Sequence, residues 1–578
     1  MNLDLPYPKI SSALSKELYI GSRIRVSIYL TKFIPYTSSG SHTLYIPMYG
    51  VFPENLDIKD FLERGIPYVY IGRDFIEAYA GIFRPERVFY SIKPSSPHGS
   101  ELNIIISDEI FYILELLGDS VAIDREALVS FLEFGKVLGG NTLIRNIKLL
   151  DAGLILRVNE EGVRLKLGFH YEFPQVKNKS LEELEEEFMN IAFKAFKEYL
   201  DVIKRKNTLV VVPLSAGVDS RFVLSMIHTL GYKNVITLTY GLRDTEYPVA
   251  KKVAETLGYE NIFIEYTWNL WKKHLRDTLN YMTWASQLHL TPNIQEFIST
   301  REFTNIIEDY NYKLEDVVLV TGDISSAIAG KIPPPSRLLD VSNIEGFVDF
   351  ILEDVEHSLF EPCGERNSIL IAKKFLLKSI KDYMEYMQDK RREMSFIEMY
   401  EALFNWKEYS FKYVSSARLT YIYHGLNFIT PLWDGRIIRF LSSIPWKLKY
   451  KNNFYRNTLR KRLFAPLGIA FEDPTKGVHP IVKLARTMRS IIPSPFAGFT
   501  REILRSIQRL KDYKTRNPCG FDVYFPRVFT WTRIKLQNFP ICDCGILKVI
   551  SEYLKRAPRN VIAFNTLTTL LLMSNKLC

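Results

Sequence analysis

Apolar positions along this chain change period from two to about three and a half. In the first hundred residues, short alternations such as RVSIYL at 25–30 and TLYI at 43–46 are broken by Pro and Gly turns, the pattern of half-buried strands. Residues 108–135 switch to helical spacing. After Gly139 and Gly140, two more strand-like runs, 142–149 and 153–158, flank a turn at Asp151 to Gly153. Leu181 then opens a long amphipathic helix towards Lys204, glutamates early and lysines late, as the helix dipole favours. These runs predict a sheet-containing N-terminal domain over residues 1–181.

Beyond it, strand and helix patterns alternate: strand 209–214, helix 219–231, strand 234–240, helix 246–256, strand 262–266 and, after further helices, strand 317–320. Such alternation predicts an α/β domain with a mostly parallel, helix-covered sheet over residues 182–490. The PSP triplet at 493–495 punctuates the start of a C-terminal extension, 491–578.

Composition narrows the class. A chain of 578 residues suits two or three packed units, and 47% apolar with 24% charged residues excludes a disordered polymer. The C-terminal run 561–573 is too short, and too interrupted by Asn565, Thr566, Thr568 and Thr569, for a membrane span. The first residues lack the basic-then-apolar order of a secretion signal. A cytoplasmic protein with no membrane partner is therefore expected. The net charge of +10 can attract nucleotides, RNA or anionic lipid, but no recognised RNA-binding module accompanies it, so nucleic acid is not an expected partner. Cys519, Cys542 and Cys544 lack a fourth ligand at a recognised spacing; ordinary thiols stand beside a metal or disulfide as readings.

Candidate chemistry concentrates where the strand at 209–214 runs into LSAGVDSR, residues 214–221. A tight turn into a helix gathers N–H groups that hold phosphate, with Leu214, Ser215, Ala216, Gly217, Asp219 and Ser220 as candidate contacts. Ser215 and Ser220 can donate to phosphate oxygens, Asp219 can hold magnesium, and Gly217 allows close backbone approach. Ala216 keeps an N–H donor, although its side chain restricts the backbone. An ordinary strand-to-helix turn with capping serines is the structural alternative.

SAGVDS at 215–220 resembles the Ser-Gly-Gly-x-Asp-Ser signature of ATP-pyrophosphatases, with Ala216 in place of the usual second Gly. More widely, residues 105–165 and 182–485 resemble the asparagine synthetase-like family, related in pattern to β-lactam synthetases. The resemblance implies an adenine-nucleotide α-hydrolase-like parallel sheet preceded by a degenerate Ntn-hydrolase-like α+β domain. It also implies ATP and Mg2+ as cofactors, with a carboxylate activated as an acyl-adenylate and ammonia or another amine displacing AMP. TLTYG at 237–241 resembles the strand bordering adenine, which makes Leu238 and Tyr240 candidate contacts. In TGDISSAIAG at 321–330, Gly322 is a turn position and Asp323 matches the first acid, a catalytic and metal-binding candidate with Asp219. Ser326 falls where a second magnesium-binding Asp is usual, and Ala327 replaces the adjacent acid. PTKGVHP at 474–480 resembles the Lys-Gly loop; Lys476 is the candidate for stabilising charge at the α-phosphoryl centre.

Other matches read as structural. Asp434 and Arg456 fall in segments similar to the family's, with a helix-capping role open for Asp434. FNWKEYSFKY at 404–413 fits an apolar helix face, with Glu408 in an acid–base relay as the alternative. Glutamine-dependent members of the family begin with a catalytic Cys after Met1, whereas this chain has Asn2 and no cysteine before Cys363. An amide cannot replace that thiolate. The expected function is an ATP-dependent, AMP-forming amide or amidine ligase without intrinsic glutaminase activity, its N-terminal domain supporting the synthetase domain or binding a protein partner. A nucleotide-binding scaffold or regulatory interaction protein is the alternative.

Overall fold

The computed structural model describes residues 14–21, 23–39, 42–53, 55–95, 101–169, 171, 179–205, 208–243, 245–323, 327–331, 336–353, 366–387, 395–471, 565–570 and 573. Two sheets form from the N-terminal alternations. One runs in the order Leu14–Ile20, Ile24–Leu30, Leu102–Ser107, Phe89–Pro94 and Lys148–Leu149, with only Ile24–Leu30 and Leu102–Ser107 paired in parallel. The other is antiparallel throughout: Gly162–Leu167, Leu154–Asn159, Phe75–Tyr79, Tyr68–Ile71, His42–Pro47 and Phe33–Ser39. Val26, Ile28 and Leu30 are buried while Arg25 is exposed, as the alternation requires.

Two expectations change here. The helical run 108–135 is two helices, Ile110–Leu117 and Arg125–Phe134, separated at Gly118 and restarted where the Asp124 carboxylate caps the N–H groups of Glu126 and Ala127. The strand expected at 142–149 shrinks to Lys148–Leu149. Thr142 diverts its neighbours from a ladder: its hydroxyl accepts from Ile144 N at 3.1 Å and donates to the Ile147 carbonyl at 2.9 Å.

The third sheet is wholly parallel, in the order Glu260–Glu265, Val235–Gly241, Leu209–Pro213, Val317–Val320 and Asn427–Ile429. Val210, Val211 and Val212 are all fully buried, which explains a continuous apolar run rather than an alternation. Helices Leu181–Arg205, Val218–Thr229 and Tyr247–Leu257 flank it, giving a Rossmann-like architecture of the kind that binds adenine nucleotides. The winding reverses between Leu209–Pro213 and Val317–Val320. At such a switch point a crevice opens beyond the carboxyl ends of the two strands.

The buried apolar residues of the segments before and after residue 181 belong to one continuous cluster. Trp406 Nε1 donates to the Ile82 carbonyl at 3.1 Å, and Arg87 reaches the Phe411 carbonyl and Ser415 Oγ. Leu567, Leu570 and Met573, from the C-terminal apolar run, lie in the core, and the Thr566 hydroxyl is 2.8 Å from that of Thr291. Among the described residues no helix is long and apolar enough to cross a membrane.

Candidate nucleotide-binding site

The loop after Leu209–Pro213 is pinned to the neighbouring strand before it turns: Leu214 N donates to the Leu238 carbonyl at 2.8 Å, and Thr239 Oγ1 donates to the Leu214 carbonyl at 2.9 Å. Its two serines then close the turn. Ser215 Oγ and Ser220 Oγ lie 3.0 Å apart, Ser215 N donates to Ser220 Oγ at 3.1 Å, and Gly217 N donates to Ser215 Oγ at 3.0 Å. Gly217 is the N-cap of Val218–Thr229 and contributes no side-chain cap, so the first-turn N–H groups and the helix dipole favour an anion here. Ala216 is buried and has no positive φ, so the backbone restriction expected from its methyl group costs nothing in this turn. Its carbonyl accepts from Arg221 Nη2 at 3.2 Å, and Arg221 Nη1 reaches the carbonyls of Ile469 and Phe471 at 3.0 and 2.9 Å.

Gly322 brings the second loop against the first. A Cβ built there would lie 2.5 Å from the carbonyl oxygen of Asp219 and 2.7 Å from Ser220 N. Only glycine permits that approach. Asp323 therefore enters the crevice beside Asp219, whose Oδ1 accepts from Tyr455 OH at 2.7 Å. Asp323 Oδ2 is 2.8 Å from Arg418 Nη2, an ion pair in which this oxygen receives no aligned hydrogen bond from the described residues. Arg418 is almost fully buried and grips Glu296 with both arms, at 2.7 and 2.8 Å, while Tyr421 OH donates to the same carboxylate at 2.5 Å. Burial pushes the Asp323 carboxyl up to about 6; Arg418 opposes that rise, and the charges of Glu296 and Asp219 reinforce it.

The structure thus brings together Leu214, Ser215, Ala216, Gly217, Asp219, Ser220, Gly322 and Asp323. Leu238 is buried in the adjoining strand; Tyr240, two residues on, stacks on Tyr266 with centroids 5.4 Å apart. Lys476, Ser326, His479 and Asn2 lie outside the described residues, as do Cys519, Cys542 and Cys544. Asp434 is a structural cap: its Oδ1 accepts from Arg436 N at 3.0 Å. Glu408 belongs to an ion pair with Lys412 at 2.8 Å and accepts from Gly139 N, on the N-terminal half. Arg418, Glu296 and Tyr455 carried no signal in their own sequence neighbourhoods, because their partners lie far away along the chain.

Two carboxylates on adjoining loops, one of them offset by Arg418 but with a buried oxygen that accepts no aligned hydrogen bond among the described residues, fit a magnesium ion that keeps most of its ligands as water and phosphate. No larger acidic, His or Cys cluster able to hold a metal occurs among the described residues.

No family model matches the chain. Over 166 residues, 27% of this chain, it is 26% identical to asparagine synthetase (glutamine-hydrolyzing) 1 of Bacillus subtilis (strain 168). The match spans 25% of that relative's length. An NH3-dependent NAD synthetase from Campylobacter jejuni, solved in complex with nitrate, is similar over 39% of this chain and 93% of that one, at 15% identity and a TM-score of 0.19.

Proposed function

We propose that the chain is an ATP-dependent, AMP-forming amide or amidine ligase that works through an acyl-adenylate and has no glutaminase activity of its own. The observation that carries this reading is the packing of Gly322 on Asp219 and Ser220, which sets two carboxylates and a helix N-terminus around one crevice at the switch point. Ser215, Ser220 and the loop amides bind phosphate, exchanging their mutual hydrogen bonds for bonds to its oxygens. Leu238 and Tyr240 border the adenine. Asp219 and Asp323 hold magnesium, which when bound neutralises phosphate charge. Arg418 is a positioning residue: it fixes Asp323 and is itself fixed by Glu296. Lys476 stabilises negative charge at the α-phosphoryl centre.

In this reading the carboxylate and the amine, ammonia included, come from solution or from a protein-bound donor. Residues 1–181 serve as an inactive, Ntn-hydrolase-like support in a cytoplasmic protein and as a surface for a protein partner; 182–490 form the synthetase-like part and 491–578 an extension. Incubation of the protein with ATP, Mg2+, ammonia and a panel of carboxylates is expected to yield AMP and pyrophosphate in equal amounts. ADP and phosphate, or ATP binding without products across the panel, would count against it.

The ion pair of Asp323 with Arg418 favours a second reading, a nucleotide-binding scaffold, because a resident cation already offsets one of the two carboxylates. A scaffold keeps its protein partner when Lys476 is replaced by Ala. Recovery of no partner in a pull-down with the full chain would sink this version.

A further inference from the structure

Away from the nucleotide loops, a cavity of about 250 Å3 lies between the N-terminal sheets and the helices Arg366–Met387 and Tyr400–Val414. Leu149, Leu376 and Phe404 are among its apolar walls, and none of residues 214–220, 322 or 323 lines it. Three of its charged residues, Asp151, Lys407 and Glu408, are already balanced. Asp151 pairs with Lys407 at 3.0 Å, and Glu408 pairs with Lys412 at 2.8 Å. Lys148, Lys378 and Asp382 remain, an excess of one positive charge.

Of the two lysines, Lys148 is half-buried in the wall and Lys378 is exposed. The Lys148 ammonium donates to the Asn141 amide oxygen at 2.8 Å, and among the described residues no carboxylate lies within ion-pairing distance of it. Burial and the nearby Lys378 hold its pKa below the usual lysine value, with Asp124 and Asp382 offsetting part of that. Tyr383 lines the same cavity, and its buried hydroxyl has no hydrogen-bond partner among the described residues. A buried donor left unmade costs stability, and in a cavity wall it is a group a ligand can satisfy.

We propose that this cavity is a binding site for a small monocarboxylate with an apolar body. The carboxylate pairs with Lys148 and accepts from Tyr383, while the hydrocarbon rests on the leucine and phenylalanine walls. An amine would add a third positive charge opposite a single carboxylate, and a neutral alcohol would leave the Lys148 charge unpaired. An apolar cavity of about 150 Å3 takes benzene, so the space here suits an aromatic ring with a short acid arm. Because residues of both halves line the site, its occupant also strengthens their docking.

The test uses the full chain and 3-phenylpropionate, with 3-phenylpropylamine and 3-phenylpropan-1-ol as comparators, by calorimetric titration with thermal unfolding alongside. Saturable binding of the acid with a rise in Tm is expected, with the other two at least about tenfold weaker. Lys148→Gln is expected to weaken the acid by about tenfold or more and to spare the alcohol. Tyr383→Phe is expected to weaken the acid without lowering the Tm of the ligand-free protein, because the lost hydroxyl has no hydrogen-bond partner among the described residues. If Lys148→Gln does not fold, Tyr383→Phe decides. The inference is overturned if the wild-type protein shows no saturable acid binding, if acid and amine bind equally, or if the folded variants bind the acid as the wild type does. It is overturned too if excess ATP displaces the acid. The site does not rest on the ligase reading, and it is read without any measurement of turnover.

Discussion

Gly322 has no room for a methyl group, since the atoms it would strike are the backbone of Asp219 and Ser220 and not the end of a flexible side chain. Gly322→Ala is expected to push the two loops apart, with ligase turnover falling by about a hundredfold at small cost to the fold. The check pairs AMP release with a thermal melt. Asp219→Asn keeps the shape of the side chain and the acceptor for Tyr455 but loses the charge. Its turnover is expected to fall by roughly 10²–10³-fold at unchanged Tm, measured at fixed Mg2+. Ser215, Gly217, Asp219 and Ser220 were legible because six consecutive positions carry the phosphate chemistry. Arg418 was not. It sits in a run of small and apolar residues, and its importance comes from Glu296 and Asp323, each about a hundred residues away.

Strands and helices of the parallel sheet follow the sequence pattern closely because the central strands Leu209–Pro213 and Val317–Val320 are buried on both faces and the helices beside them have an apolar face. The pattern misled where side chains captured backbone groups, as Thr142 does. It was also silent on the buried histidines. His424 ends the helix Leu419–Tyr423, with Nδ1 2.8 Å from the Thr420 carbonyl, and burial pushes its imidazole down to about 4. His289, fully buried, is held well below its usual value for the same reason. Between about pH 4 and 6.5 the unfolded chain therefore binds more protons at His424 than the folded chain. Stability is expected to rise with pH across that window and to lose this contribution's slope above it. His424→Gln should flatten part of the slope in urea titrations at pH 4.5, 5.5 and 7; an identical slope would show that His424 titrates as an ordinary imidazole.

At the scale of the whole molecule, the halves are joined by buried charge as well as by apolar contact. Lys407 and Asp151 pair across them, with only 3% and 9% of their side chains exposed. Lys407→Met leaves Asp151 buried without this partner and is expected to cost about 3–5 kcal/mol, whereas Lys407→Met combined with Asp151→Leu should recover most of the loss. Denaturant unfolding of the three proteins checks this, and equal stability of single and double variants would contradict it. The long-range pairing was not readable from composition, since Lys407 and Asp151 each look like ordinary surface charges in their own segments. What was readable was the phosphate loop, and the central claim rests on it. The most direct measurement is a crystal structure of the full chain with Mg2+ and α,β-methylene-ATP. The account predicts phosphates against the amides of residues 215–220, magnesium touching Asp219 and Asp323, and adenine beside Leu238 and Tyr240. Nucleotide bound elsewhere, or phosphates in the loop with the adenine away from that strand, would contradict it.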